Sequence, residues 1–239
     1  MSCPKFHFLT LFPEPIQIWM TTSILGRAYK AGLFDFKIYQ LRDFAGDKHH
    51  SVDDVAYGGG GGMVLRMDPL VKAIEFIKNE IGKENSSVIY FNPGGKRLNH
   101  QLVCSFSKRA YTTHFIFVCG HYEGVDQRFI DHWVDEEVSL GDFVLTGGEL
   151  PALALADSMV RQFEGTLGSK TTASTESFAL SLDDKTLLEY PHYTRPQEYL
   201  GHKVPEILLS GDHKKIEAWR LEQALKRTQD KRPDLIDLN

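Results

Sequence analysis

Cysteine is scarce in this chain: Cys3, Cys104 and Cys119 are the only three among 239 residues. Their number is odd and they lack metal-ligand spacing, a pattern that fits a reducing compartment. No apolar run is long enough to cross a bilayer. The first residues, MSCPKFHFLTLF, lack the charged, apolar and small-residue order of a signal peptide, so a cytoplasmic protein is expected. Positive charge is also in deficit, with a formal net charge of -5. That argues against a general nucleic-acid glue and leaves room for a local basic patch. Familiar motifs are missing too. Gly58 to Gly62 does not complete G-x-G-x-x-G, because position 63 is Met and the run lies in a long loop. Gly94-Gly95-Lys96-Arg97 lacks the first glycine and the hydroxyl of a P-loop. There is no nucleophile elbow and no internal repeat. His49, His50 and His192 have no partner at metal-ligand spacing.

What is present is an ordinary globular composition, 42% hydrophobic and 25% charged. Lys5 to Leu11 reads as a buried strand, and Pro13 opens a helix through Ile16, Trp19, Met20 and Ile24 that ends at Gly32. Phe34, Phe36 and Ile38 alternate with polar residues, the period of a half-buried strand. A polar loop from Arg42 to Arg66 carries the glycine run. Asp68 caps the next helix, whose residues Leu70, Ala73, Ile74, Ile77 and Ile81 share one face. Ser87–Phe91, His114–Cys119 and the stretch ending at Leu140 are strands that each run into a glycine-bearing turn. Helices follow at Gln101–Ala110, before Trp133, and at Leu150–Phe163. Such alternation predicts an α/β fold with a mostly parallel sheet covered on both faces. The three turns then share one sheet edge, where ligands bind. The most informative is Glu136 to Ala152, EEVSLGDFVLTGGELPA, in which two glycine turns bracket Phe143-Val144-Leu145. Such a loop can present backbone groups to a purine edge and wrap a flat ring in apolar side chains. From Glu164 to Asp184 the pattern breaks into Gly, Ser and Thr, read as a linker that orders with substrate. Asp212 caps a helix from His213 to Thr228 that carries the basic cluster of Lys214, Lys215, Arg220, Lys226 and Arg227.

These residues carry a resemblance. LTLFPE at Leu9–Glu14, the SVDD and YGGG loop at Ser51–Met63, VCG-YEG-D at Val118–Asp126, S-GD-VL-GGELPA at Ser139–Ala152, PHYTRP at Pro191–Pro196 and LLSG-H–I–WRL at Leu208–Leu221 resemble the bacterial tRNA (guanine-37-N1)-methyltransferase family, TrmD. The match spans nearly the whole chain, in order. It implies a SPOUT-type sheet with a deep trefoil knot and a small helical C-terminal domain. It further implies a homodimer, S-adenosylmethionine as methyl donor and tRNA as substrate. The implied division is 1–163 for the knotted S-adenosylmethionine domain, 164–184 for a flexible linker and 185–239 for tRNA binding.

The implied cofactor cradle is Tyr90, Phe91, Asn92, Pro93 and Gly95; Gly120, Tyr122, Glu123 and Gly124; and Ser139, Leu140, Gly141, Asp142, Phe143, Val144, Leu145, Gly147, Gly148 and Pro151. The implied tRNA contacts are Asp53, Tyr57, Gly62, His192, Arg195 and Arg220. Arg161 maps to an assisting arginine. The family's linker aspartate, a general base, falls on Glu176, one methylene longer; the alternative, after a small shift in register, is Asp183 or Asp184. Val55-Ala56 stands where relatives often carry Arg-Pro. The family's reported use of Mg²⁺ makes Glu123 and Glu176 candidate ligands. The alternatives are another SPOUT RNA methyltransferase and a catalytically silent tRNA-binding homologue.

Overall fold

A computed structural model describes residues 3–168, 175–183 and 185–236. The chain divides into two compact units, Met1–Leu167 and Gly168–Asn239. The first unit is built on five parallel strands: β1 (Lys5–Thr10), β2 (Asp35–Gln40), β5 (Ser86–Arg97), β6 (His114–Val118) and β7 (Glu136–Ser139). Their spatial order is β2-β1-β6-β5-β7, and every neighbouring pair is parallel. A short antiparallel pair, β3 (Asp53–Val55) and β4 (Met63–Leu65), flanks the glycine run.

Side-chain alternation explains why the sheet is covered on both faces. Phe6, Phe8, Ile89, Phe91, Phe115 and Phe117 face α1 (Pro13–Met20), α2 (Ser23–Lys30), α4 (His100–Arg109) and α6 (Glu149–Val160) in one apolar cluster. Leu9, Val88, Tyr90, Ile116 and Val118 face α3 (Met67–Ile81) and α5 (Gln127–Trp133) in the other. The phenylalanines interlock, with Phe6 and Phe117 stacked at 5.7 Å and Phe106 meeting Phe115 edge-on at 5.5 Å. Each such side chain, fully buried, contributes roughly 1.5–3 kcal/mol.

Three local expectations need correction. The helix read from Pro13 to Gly32 is two helices. The hydroxyls of Thr21 and Thr22 bond back to the carbonyls of Gln17 and Ile18, at 2.7 and 2.5 Å, and Ser23 then turns to φ 54°. Such back-bonding competes with helix continuation. Asp68 does not cap α3; Arg66 occupies the cap position, and the Asp68 carboxylate receives the Arg66 guanidinium at 3.0 and 3.1 Å. β5 does not end at Phe91. Phe91 and Lys96 both pair with Val138, so Asn92–Gly95 loops out of the sheet before the strand resumes.

Among its described residues the second unit contains two short hairpins, β8 (Ser181–Leu182) with β9 (Lys185–Thr186) and β10 (Glu198–Tyr199) with β11 (His202–Lys203), and one long helix, α7 (His213–Lys231). Asp212 does cap that helix, accepting the Lys215 N–H at 3.2 Å. Within the stretch read as a linker, Leu180 donates to the Glu176 carbonyl and Phe178 to that of Leu187, at 3.0 and 2.9 Å. The remaining expectation of disorder falls on residues 169–174 and 184, which lie outside the described residues.

Candidate active site

Strand order brings three turns to one place. β5, β6 and β7 are adjacent and parallel, so the segments after Phe91, Val118 and Ser139 leave the same sheet edge. They enclose a cavity of about 180 Å³. Every residue of the expected cradle lines it except Gly95 and Asp142. Gly95 serves the sheet instead. A Cβ there would stand 2.5 Å from the Val138 nitrogen, so glycine lets β5 rejoin β7 after the loop. Asn92, at the lip, donates its amide to the Glu137 carboxylate.

Each turn is fixed by bonds that cross between segments. The Gly148 N–H donates to the Gly120 carbonyl at 2.8 Å, tying the third turn to the second. The approach is so close that a Cβ on Gly148 would lie 2.6 Å from Cys119 Cα. A Gly148→Ala variant is therefore expected to lose about 2 kcal/mol of stability, because the backbone must shift to admit the methyl. Urea unfolding of the variant beside the wild type checks this; coincident curves would refute the contact. Tyr122 sits at φ 60° in a turn closed by the Gly124 N–H to the His121 carbonyl, 3.1 Å. For a non-glycine residue that conformation costs of order 1–3 kcal/mol and persists where the surroundings impose it.

The sequence reading missed the group that locks this wall. His121, which lines the cavity, places Nε2 2.7 and 2.9 Å from the two oxygens of Glu149. Thr10, at the end of β1, donates its hydroxyl to the same carboxylate at 2.5 Å and accepts the Phe12 N–H at 2.8 Å. Phe12 then packs edge-on against the His121 ring, 5.0 Å away. Glu149 is buried and is the first residue of α6. Burial pushes its carboxyl up. The hydrogen bonds from His121 and Thr10 outweigh that and hold it below its ordinary value, helped by the positive end of the helix. One buried carboxylate thus joins three chain segments. No local spacing announces the link, although each partner stood in a stretch already singled out: Thr10 in LTLFPE, His121 between Val118 and Asp126, and Glu149 in GGEL.

The glycine loop adjoins the same wall. Glu123 donates its N–H to the Met63 carbonyl, and Leu65 donates to that of Gly124, at 3.0 and 2.9 Å. Gly62, at φ 90°, faces the Glu123 side chain. Asp53 pairs with Leu65 across the hairpin, and the Tyr57 side chain is fully exposed. The structure does not bring Arg161 into the cavity. It stands at the end of α6 beside Trp19 and Asp157, lining a separate recess. Glu176, Asp183, His192, Arg195 and Arg220 belong to the second unit, where Glu176 is half-buried. Asp184 lies outside the described residues. Among the described residues, no three His, Cys, Asp or Glu side chains group as a metal site.

Fold and cleft together define a class: α/β domains that seat a small molecule outside the carboxyl ends of parallel strands. Comparison with known proteins narrows the class. The profile of the family described as tRNA (Guanine-1)-methyltransferase TrmD matches residues 4–238. A tRNA (guanine-N(1)-)-methyltransferase of Ruminiclostridium cellulolyticum is 47% identical over 233 residues, covering 98% of this chain and 96% of its own. The protein of the same name from Clostridioides difficile is 46% identical over 231 residues, covering 97% and 96%. The crystal structure of tRNA (m1G37) methyltransferase from Aquifex aeolicus superimposes with a TM-score of 0.77 at 40% identity, covering 98% of this chain and 95% of that one. The chain belongs to the TrmD family of tRNA (guanine-1)-methyltransferases.

Proposed function

We propose that this protein transfers a methyl group from S-adenosylmethionine to N1 of guanosine 37 in tRNA. The observation that carries the proposal is the cleft of three interlocked turns at the carboxyl edge of the sheet, in a chain matching this family from end to end. The cleft residues fit the cofactor. Phe91, Val138, Leu140 and Leu145 offer apolar walls to a purine, and the Tyr122–Gly124 turn sets backbone groups and the Glu123 carboxylate at one end. When bound, S-adenosylmethionine supplies an already activated sulfonium methyl group.

The chain's own task is then to prepare guanine. N1 carries a proton and is a poor nucleophile until that proton leaves. Glu176 is the proposed acceptor, and a positioned base of this kind contributes about 10²–10⁴-fold. Negative charge develops on guanine O6 as the proton goes, and Arg161 is the proposed cation that stabilises it. Asp53, Tyr57 and Gly62 of the first unit, with His192, Arg195 and Arg220 of the second, are the proposed tRNA contacts. The basic face of α7 accounts for RNA binding by an acidic chain, since each neutralised phosphate adds roughly 0.7–0.9 to the salt slope. A trefoil knot, a homodimeric assembly and a cytoplasmic location complete the proposal, with residues 1–163 holding the cofactor, 164–184 linking and 185–239 holding tRNA. The family match supports it. Among the described residues no helix is long and apolar enough to cross a membrane.

The test is transfer of label from S-adenosylmethionine to a tRNA transcript with guanosines at positions 36 and 37, followed by mapping of the modified base. Label is expected on N1 of guanosine 37 and is expected to fall at least 100-fold in Glu176→Gln, within the range of general-base contributions (~10²–10⁴). Label retained by that variant would move the base to another carboxylate. Binding of tRNA without transfer by the wild type would overturn the enzymatic reading.

A further inference from the structure

The second unit holds a cavity of about 600 Å³ whose lining includes the proposed tRNA contacts His192, Arg195 and Arg220. Tyr190, His192, Arg195, Leu208, Ile216 and Arg220 are among the residues that line it. α7 supplies both the buried Ile216 and, one turn later, Arg220. The Arg220 guanidinium lies over the Tyr190 ring, 4.8 Å from its centroid. Its Nε is buried and has no hydrogen-bond partner among the described residues. A buried N–H left without an acceptor costs about 1–3 kcal/mol, so this arginine is held against a cost. The Tyr190 and His192 rings are 5.0 Å apart, and His192 Nε2 is held 2.9 Å from a Glu189 oxygen. The walls therefore present flat rings, a planar guanidinium and an apolar floor.

That combination discriminates between occupants. A site for phosphate alone gathers cations and needs no rings. A site for an apolar peptide has no use for two arginines. A nucleobase needs a stacking partner and a cation for the phosphate beside it. We propose that this cavity receives one unstacked base of the bound tRNA. The base stacks against the aromatic and guanidinium wall, and Arg195 faces the adjoining phosphate. The inference rests on the tRNA reading and adds that this contact reads a base and not only charge.

The experiment compares wild type with Arg220→Lys, using the transcript described above in filter binding across a range of salt. Lysine keeps the charge and loses the plane that stacks. The tRNA Kd is expected to rise about tenfold, the size of a lost base stack. The salt slope should stay unchanged, as should affinity for S-adenosylmethionine. A Tyr190→Phe variant, which keeps the ring, should bind as wild type does, and Tyr190→Leu should weaken binding as Arg220→Lys does. Undiminished affinity in Arg220→Lys would reduce Arg220 to a phosphate contact and overturn the assignment. A measurement on the unaltered chain guards against variants that do not fold. A transcript carrying 4-thiouridine in place of uridine is irradiated in complex and the adducts are mapped. Adducts on residues 190–195 or 219–220 are expected; adducts confined elsewhere would overturn the assignment. A wild-type protein that binds no tRNA would overturn the underlying reading as well, whereas tight wild-type binding with an indifferent Arg220→Lys defeats the cavity assignment alone.

Discussion

Replacing Glu149 with alanine is expected to cost about 3 kcal/mol of stability and to weaken S-adenosylmethionine binding more than tenfold, since a buried ion or hydrogen-bonded partner is removed from groups that stay behind. Three contacts go together. Thr10 loses the acceptor for its hydroxyl, His121 loses both carboxylate oxygens, and the Phe12 turn loses the anchored threonine that receives its N–H. The His121 ring also forms part of the cavity wall, so in the proposed function the damage reaches cofactor binding and not only the fold. Glu149→Gln separates the two effects. An amide keeps the shape and can still accept from Thr10, so the stability loss should shrink to about 1 kcal/mol, that of one weakened hydrogen bond. Urea unfolding and equilibrium dialysis of labelled cofactor, at fixed protein concentration, read both quantities. An alanine variant with an unchanged midpoint and unchanged affinity would show that the three segments are held by other means.

This group also marks where sequence reading reaches its limit. The three turns were legible because each follows a short apolar run and contains glycine, a signal confined to a few neighbouring residues. Parallel order then placed them on one edge, as the pairing of Phe91 with Val138 and of Tyr90 with Val118 bears out. Thr10 and Glu149, by contrast, are 139 residues apart, and nothing in either neighbourhood names the other. Gly95 came into the expected cradle by family resemblance; its contact with Val138 arises from a loop that returns to the strand it left. The break at Thr21–Thr22 was hidden by an apolar spacing that continues across it. Arg161 and Glu176 have no local signature of catalysis. Their proposed roles come from family resemblance, and the carboxylate of Glu176 distinguishes itself from its neighbours in no other way.

The other large effect concerns the opposite end of the strands. His7, on β1, is buried and sits between Tyr39, 3.2 Å from Nδ1, and His114, 3.1 Å from Nε2. Tyr39 in turn donates to Glu80, which also holds Lys37. Lys5 and Lys37 add positive charge nearby. Burial first, and the neighbouring His114 second, push the His7 imidazole down from 6.5 to about 4. Folding therefore favours neutral His7. Above pH 6.5 the unfolded chain is neutral there too, and the contribution is complete. Below it the unfolded chain takes up a proton that the folded chain refuses until about pH 4. Across that window the difference amounts to about 3 kcal/mol of stability lost, at 1.36 kcal/mol per pH unit. His114, also depressed by burial and then by Lys5, adds in the same direction. Unfolding free energy measured from pH 7.5 to 4.5 should fall steeply below 6.5 in the wild type and much less in His7→Phe. The variant keeps the aromatic plane beside Tyr39 and removes the titration. Parallel curves for the two proteins would mean that the acid loss arises elsewhere, and that His7 is merely a filler between two strands.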